Sequence, residues 1–110
     1  MNGYKFDGMS FPVRITYRGL EPSETLNRQI QEEAAKLEKF YDGIVSCRVL
    51  VERHDGHHHT APLNLRLNIV VPGADLAVVG EPSLTSVHDT FRRARRRVQE
   101  YARRRSLPHA

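Results

Sequence analysis

The C-terminal fifth of the chain carries its most concentrated chemistry, a run of arginines. Residues 91–110 contain eight Arg and one Glu, whereas residues 1–90 contain nine Lys or Arg and twelve Asp or Glu. A guanidinium group pairs with phosphate in two-pronged fashion and stacks on bases, which the ammonium group of lysine does less well. This charge asymmetry predicts an acidic polymer as partner, above all a nucleic acid.

A helical apolar pattern determines which of these arginines face outward. Phe91, Ala94 and Val98 recur at steps of three and four residues, so we expect them to point into the core. The arginines between them then lie on the open side or the flanks of the helix. The predicted nucleic-acid interface comprises Arg92, Arg93, Arg96, Arg97, Arg103 and Arg104.

The arginine run is also compatible with roles outside nucleic-acid binding. A solvated helix face usually mixes charges of both signs, but only Asp89 and Glu100 dilute this one. An acidic protein or a membrane surface would also attract a basic helix. On the predicted strands, Arg14 and Arg18 join the predicted interface, although they fit ordinary polar strand positions equally well. The same applies to Arg48 and Arg66, which could add contacts.

A second candidate site is the histidine-rich segment HDGHHH at residues 54–59. His57 and His59 alternate, so they could share one face of an extended segment and bind a transition metal. The chain has a single cysteine and no second ligand cluster to complete a site. We therefore predict a polar hairpin loop, with no metal and no cofactor.

Catalytic chemistry has little support in the sequence. His88 and Asp89 are neighbours, and neighbours on a helix point about 100° apart, so they cannot act as a dyad. The same objection applies to Glu32 and Glu33, and there is no glycine-rich phosphate loop. Cys47 lies in a predicted strand and is expected to pack in the core. We expect no enzymatic activity and no small-molecule substrate.

Alternating apolar and polar residues predict four strands around these features. In the second strand, Val45 is assigned to the same buried face as Cys47, and in the third Asn64 is assigned outward. The predicted strands are Pro12–Arg18, Ile44–Arg53, Leu63–Val71 and Asp75–Val79.

Two segments have the apolar spacing of amphipathic helices. The first begins at residues 21–24 and ends at Asp42 and Gly43, where we expect the glycine to adopt the left-handed capping conformation. The second begins at Ser83 as N-cap and ends before Pro108. The first apolar stripe is Leu26, Ile30, Ala34, Leu37 and Tyr41. The second is Leu84, Val87, Phe91, Ala94, Val98 and then either Tyr101 or Ala102.

The resulting order, β-α-β-β-β-α, predicts an α+β fold, a two-layer sandwich with a four-stranded sheet and two helices on one face, like a double-stranded-RNA-binding domain. We expect a flexible N-terminal lead at 1–11, a single domain at 12–105 and a C-terminal tail at 106–110. The chain shows neither a secretory signal nor an apolar run long enough for a membrane helix, so we expect a cytoplasmic protein that contacts no membrane.

Three segments of the chain match the pattern of a known family. The first helix and the residues after it supply one pattern, residues 72–78 form a turn and short strand, and residues 83–89 begin the second helix. The positions of the first pattern are Leu26, Ile30, Leu37, Phe40, Tyr41, Asp42 and Ile44. With these segments in this order, the sequence resembles the ribosome hibernation promoting factor family, also called ribosome-associated translation inhibitors or sigma-54 modulation proteins, in its short form.

The resemblance implies a factor that binds small-subunit ribosomal RNA in the mRNA and tRNA channel and blocks translation by occupancy under stress. Because the first helix is net acidic, the implied RNA contacts come chiefly from the second. A weak homodimer is compatible with this function. The alternatives are a domain that binds RNA or DNA away from the ribosome, and a protein-interaction module that docks an acidic partner through the basic helix.

Overall fold

The computed structural model describes residues 11–53, 62–83 and 85–106. Several predictions concern residues outside these ranges. They are the first ten residues of the N-terminal lead, the histidine loop with His57 and His59, the start of the second apolar stripe at Leu84, and the tail beyond Ser106 with Pro108.

The elements follow the predicted order, β-α-β-β-β-α. A single 3₁₀ turn, Leu37–Lys39, follows the first helix. The strands and helices are β1 (Val13–Arg18), α1 (Glu24–Lys36), β2 (Ser46–Glu52), β3 (Asn64–Val71), β4 (Ala74–Val79) and α2 (Ser86–Ser106). The predicted α+β class is confirmed.

The four strands form one sheet in the order β1-β2-β3-β4. β1 runs parallel to β2, and α1 supplies the crossover that a parallel pair requires. β2, β3 and β4 form an antiparallel meander. Within the described residues β1 and β4 are therefore the two edges of the sheet.

The core lies between one face of the sheet and the two helices. The centres of both predicted apolar stripes are buried, with Ile30 and Ala34 from α1 and Phe91, Ala94 and Val98 from α2. Leu26 and Tyr41 of the first stripe are only partly buried. Their strand partners alternate along the sheet. These buried strand residues are Cys47, Val49, Val51, Leu65, Leu67, Ile69, Val71, Leu76 and Val78.

Phe11 belongs to the segment that was predicted to form the N-terminal lead. Its side chain is 4% exposed and belongs to the core cluster. A phenyl ring gains more from burial than any polar residue of the lead. This one residue of the predicted lead therefore packs against the domain.

The end of α1 also differs from the prediction. The helix ends at Lys36 and tightens into the 3₁₀ turn, so Tyr41 lies beyond it. Gly43 does not adopt a left-handed conformation, which among the described glycines only Gly19 and Gly73 adopt. Gly43 instead makes room for a ring, because a Cβ there would collide with the hydroxyl oxygen of Tyr41.

Two predicted orientations in the sheet are wrong. Val45 is 51% exposed because β2 begins only at Ser46, and Ile44 takes the buried position instead. Asn64 is 6% exposed although it lies opposite Glu52 on the outward face, and Glu52 is itself 7% exposed. Asn64 and Glu52 are therefore both buried on the outward face of the sheet. The alternation of apolar and polar residues along the strands does not predict the burial of these two polar side chains.

Contrary to the prediction, Ser83 is not the N-cap of α2, because the helix begins at Ser86. Ser83 donates its backbone N–H to the carbonyl of Leu63 in an isolated bridge, and its Oγ accepts the N–H of Thr85. The helix begins at Ser86, and the carbonyl of Thr85 accepts the N–H of Asp89. Ser83 lies three residues before the first residue of the helix, so its Oγ accepts the N–H of Thr85 and not that of a residue within the helix.

Candidate nucleic-acid interface

Helix α2 presents its arginines to solvent because its opposite side is buried. Phe91, Ala94 and Val98 anchor one face against the sheet. Arg95 is half-buried, with its guanidinium carbon 5.4 Å from the centre of the Phe40 ring. All six arginines predicted for the α2 part of the interface are exposed, namely Arg92, Arg93, Arg96, Arg97, Arg103 and Arg104.

Two of these arginines are held by groups of the same chain. Arg92 Nη2 lies 3.7 Å from an oxygen of Asp89. Arg93 Nη1 donates to the carbonyl of Val79 at 3.2 Å, and its Nη2 lies 3.4 Å from Glu81. Exposed ion pairs of this kind contribute little stability. Their main effect is to aim the two guanidinium groups.

Three arginines have no such partner in the part of the chain that the structure describes. Arg96, Arg97 and Arg104 make neither a hydrogen bond nor an ion pair with any described residue. Arg97 and Arg104 are seven residues apart, which places them on one stripe about 10.5 Å apart along the axis. Their charges are therefore available to an external anion.

A shallow pocket of about 290 Å³ opens beside this stripe, at the β4 edge of the sheet. Its wall combines apolar surface with both signs of charge. The residues that line this pocket, called the Tyr101 pocket below, are Leu76, Arg97, Glu100, Tyr101 and Arg104. Two arginines beside an aromatic ring are the combination that single-stranded nucleic-acid sites use for phosphate and base.

The ring of Tyr101 is fixed from three sides. Its hydroxyl donates to the carbonyl of Pro72, in the turn between β3 and β4. The ring of Tyr41 meets it edge to face at 5.4 Å, and the guanidinium of Arg105 lies 5.7 Å from its centre. A ring held in this way costs little conformational entropy when a ligand contacts it.

Helix α1 offers no comparable surface. It contains three carboxylates and only two basic side chains. One of these, Lys36, lies 3.3 Å from Glu33. The two helices therefore share the core but differ in charge on their outer faces.

The outward face of the sheet carries the other predicted arginines. Arg14, Arg18, Arg48 and Arg66 are all exposed. Glu52 accepts from Arg18 at 3.1 Å and lies 3.9 Å from Arg66 Nε. Arg18 is therefore paired within the chain, whereas Arg14 and Arg48 have no such contact among the described residues.

The remaining candidates take no part in this interface. Cys47 is fully buried, which confirms its role in the core, and burial raises the pKa of its thiol from 9.0 to about 12. Because the thiol ionises more readily in the unfolded chain, the free energy of unfolding should fall as the pH rises from 9 toward 12 and be unaffected by this group at lower pH. No group of three or more His, Cys, Asp or Glu residues suited to a metal is present in the described ranges. Across those same ranges, no helix has the length and apolar character needed to cross a membrane.

Sequence reasoning missed two parts of the site. It did not identify the Tyr101 pocket, although Arg97, Glu100, Tyr101 and Arg104 have the spacing of a single helical stripe. Nor did it anticipate the bond of Arg93 to Val79, which depends on how α2 lies along β4.

The fold is shared with solved structures of distantly similar proteins. The N-terminal domain of Protein Y from Thermus thermophilus superposes with a TM-score of 0.66 at 16% identity, covering 86% of this chain and 98% of that one. A ribosomal subunit interface protein from Coxiella burnetii has a TM-score of 0.66 at 14% identity, covering 83% and 97%. No curated protein matches the sequence significantly.

The family follows from the sequence itself. Residues 13–106 match the family model of the sigma 54 modulation protein / S30EA ribosomal protein. The chain belongs to this family of ribosome-associated, non-catalytic factors, which confirms the predicted resemblance.

Proposed function

We propose that this chain binds small-subunit ribosomal RNA in the mRNA and tRNA channel and inhibits translation by occupying that channel under stress. Membership of the family supports the ribosome as the binding partner, and a ribosome-bound protein is cytoplasmic. The observation that carries the RNA contact is a set of exposed guanidinium groups on α2 that have no partner among the described residues, those of Arg96, Arg97 and Arg104.

The mechanism is steric and electrostatic. Folded ribosomal RNA offers dense phosphates and irregular grooves, so recognition depends on charge and shape more than on sequence. Buried Phe91 and Ala94 hold α2 on the sheet, which keeps the arginines in place before binding. The Tyr101 pocket would receive an unstacked base next to phosphates bound by Arg97 and Arg104.

Co-sedimentation with intact ribosomes and with isolated subunits tests the proposal. We expect saturable one-to-one binding to the small subunit, weakening as salt is raised. Preloading the subunit with mRNA and tRNA should block binding. The double variant Arg96→Glu with Arg97→Glu should weaken binding by about 100-fold or more, because it replaces two charge-assisted contacts with repulsion.

A charge-matched control is available on α1 and the 3₁₀ turn that follows it. Arg28→Glu with Lys39→Glu makes the same change in net charge on exposed residues away from the proposed interface. We expect this variant to bind like wild type, and circular dichroism should show all variants folded. Equal binding by the α2 variant and wild type would refute the proposal. Binding that survives nuclease treatment would point instead to an acidic protein partner.

A further inference from the structure

Two arginines lie side by side on the outward face of the sheet. The parallel register of β1 and β2 places Arg14 directly beside Arg48. Adjacent strands are about 4.8 Å apart, so the two side chains leave the sheet as close neighbours. Both are exposed.

This pair has no counter-charge in the described part of the chain. The next residue in the same row, Asn68, donates its amide to Asp75 at 3.4 Å. The nearest glutamate on this face, Glu52, is taken by Arg18. Like charges directly opposite each other destabilise a sheet, and an external anion would offset that cost.

The groups around the pair suit a phosphate backbone. Thr16 follows Arg14 on the outward face of β1, Ser46 precedes Arg48 on β2, and Asn68 lies across on β3. Hydroxyl and amide groups of this kind supply many of the phosphate and sugar contacts in nucleic-acid complexes. The pair therefore resembles a phosphate site more than a docking site for an apolar segment.

The position of this pair excludes a role in the α2 interface. Both helices pack on the other face of the sheet, and α2 packs against β3 and β4. Arg14 and Arg48 therefore face away from α2, at the opposite edge of the sheet. A phosphate that contacts Arg97 or Arg104 therefore lies on a different face of the molecule from one that contacts Arg14 or Arg48.

We propose that the outward face around Arg14 and Arg48 is a second phosphate-binding surface, so that the domain is held between two separate RNA segments. The inference rests on the proposed function for the class of ligand, RNA, but it concerns a different face. It predicts that one protein molecule joins two RNA molecules.

The experiment uses a single-stranded RNA 12-mer of mixed sequence as probe, in donor-labelled and acceptor-labelled forms. Native mass spectrometry should detect two 12-mers per wild-type chain at saturation, with energy transfer between the labels. Arg14→Gln with Arg48→Gln should leave one 12-mer and abolish the transfer. The loss of two phosphate contacts should also reduce the salt-dependence slope for single-stranded RNA by about 1.4.

Two further variants make the result specific. Arg28→Gln with Lys39→Gln changes the net charge equally and should retain two 12-mers. Arg96→Glu with Arg97→Glu should retain the 12-mer on the sheet face. If the α2 variant still binds two 12-mers, that result would count against the proposed function but would leave the sheet-face inference standing.

The inference is overturned if wild type binds only one 12-mer, or if the sheet-face variant keeps two with undiminished transfer. Binding of polyglutamate at this face in preference to RNA would also overturn it. Stability provides an independent readout, since relief of repulsion between Arg14 and Arg48 should leave the thermal midpoint of their glutamine variant unchanged or raised. A fall in that midpoint would overturn the like-charge argument.

Discussion

Helices α1 and α2 lie on the same face of one sheet and bury similar apolar stripes. Ile30 and Ala34 of α1 are fully buried, as are Ala94 and Val98 of α2. Their outer faces differ sharply, since α1 has three carboxylates and two basic side chains whereas α2 has eight arginines and two carboxylates. Burial therefore determines where each helix lies, and the outer residues are left to determine what it contacts.

This difference between the helices separates stability from binding. Both helices should be needed for folding, because each covers part of the same core. For binding RNA on the helix side of the molecule, only the arginines of α2 should be needed. Three predictions test this separation, beginning with the one that has the largest effect.

Replacing a core residue should lower stability without changing the charge of either helix. Phe91→Ala removes a ring that is 1% exposed and should lower the free energy of unfolding by about 3–5 kcal/mol. Leu37→Ala, next to α1, should cost about 2–5 kcal/mol. Urea denaturation measures both. Wild-type stability in Phe91→Ala would contradict the assignment of the buried face of α2.

Removing one guanidinium group should weaken RNA binding without lowering stability. Arg97→Gln should weaken RNA binding by about 10- to 100-fold, the value of one charge-assisted contact, and lower the salt-dependence slope by about 0.7–0.9. Its unfolding curve should match wild type because the side chain is exposed. Arg28→Gln on α1 provides the control. An equal loss in the two variants would show that net charge alone, and not the α2 face, binds RNA.

The smallest effect concerns the start of α1. The Oγ of Ser23 accepts the N–H of Leu26 at 3.2 Å, so Ser23→Ala should cost about 1 kcal/mol of stability. Thr25→Ala, at an exposed position in the first turn of the helix, is the matched control. Both should bind RNA with wild-type affinity once folded. Weaker RNA binding by the Ser23 variant would place α1 in the interface.

Periodicity predicted the elements well because burial imposes it. The apolar residues Ile30 and Ala34 of α1 were identified correctly from their spacing, and so were the exposed positions of the six arginines assigned to the interface on α2. Errors fell where the chain enters or leaves an element. Ser83 has the chemistry of an N-cap, but it pairs with Leu63 in an isolated bridge and the helix begins only at Ser86. The burial of Phe11 likewise depends on contacts distant in sequence.

The state of each arginine in the interface could not be predicted from sequence. Arg93 is tied to a carbonyl of β4, and Arg18 to a carboxylate of β2. Both contacts depend on which strands and helices become neighbours. The adjacency of Arg14 and Arg48 has the same origin, since it requires β1 to pair in parallel with β2.

The parallel pairing of β1 also has a consequence for how the chain folds as it is synthesised. Val13 pairs with Cys47, so the first strand to be made has no partner until the whole of α1 and part of β2 have been added. By contrast, β3 and β4 are joined by the tight turn at Gly73 and can pair at once. Contacts between residues distant in sequence form slowly. We expect the meander to form first and β1 to join it last, which makes the N-terminal strand the part of the nascent protein most exposed to mispairing.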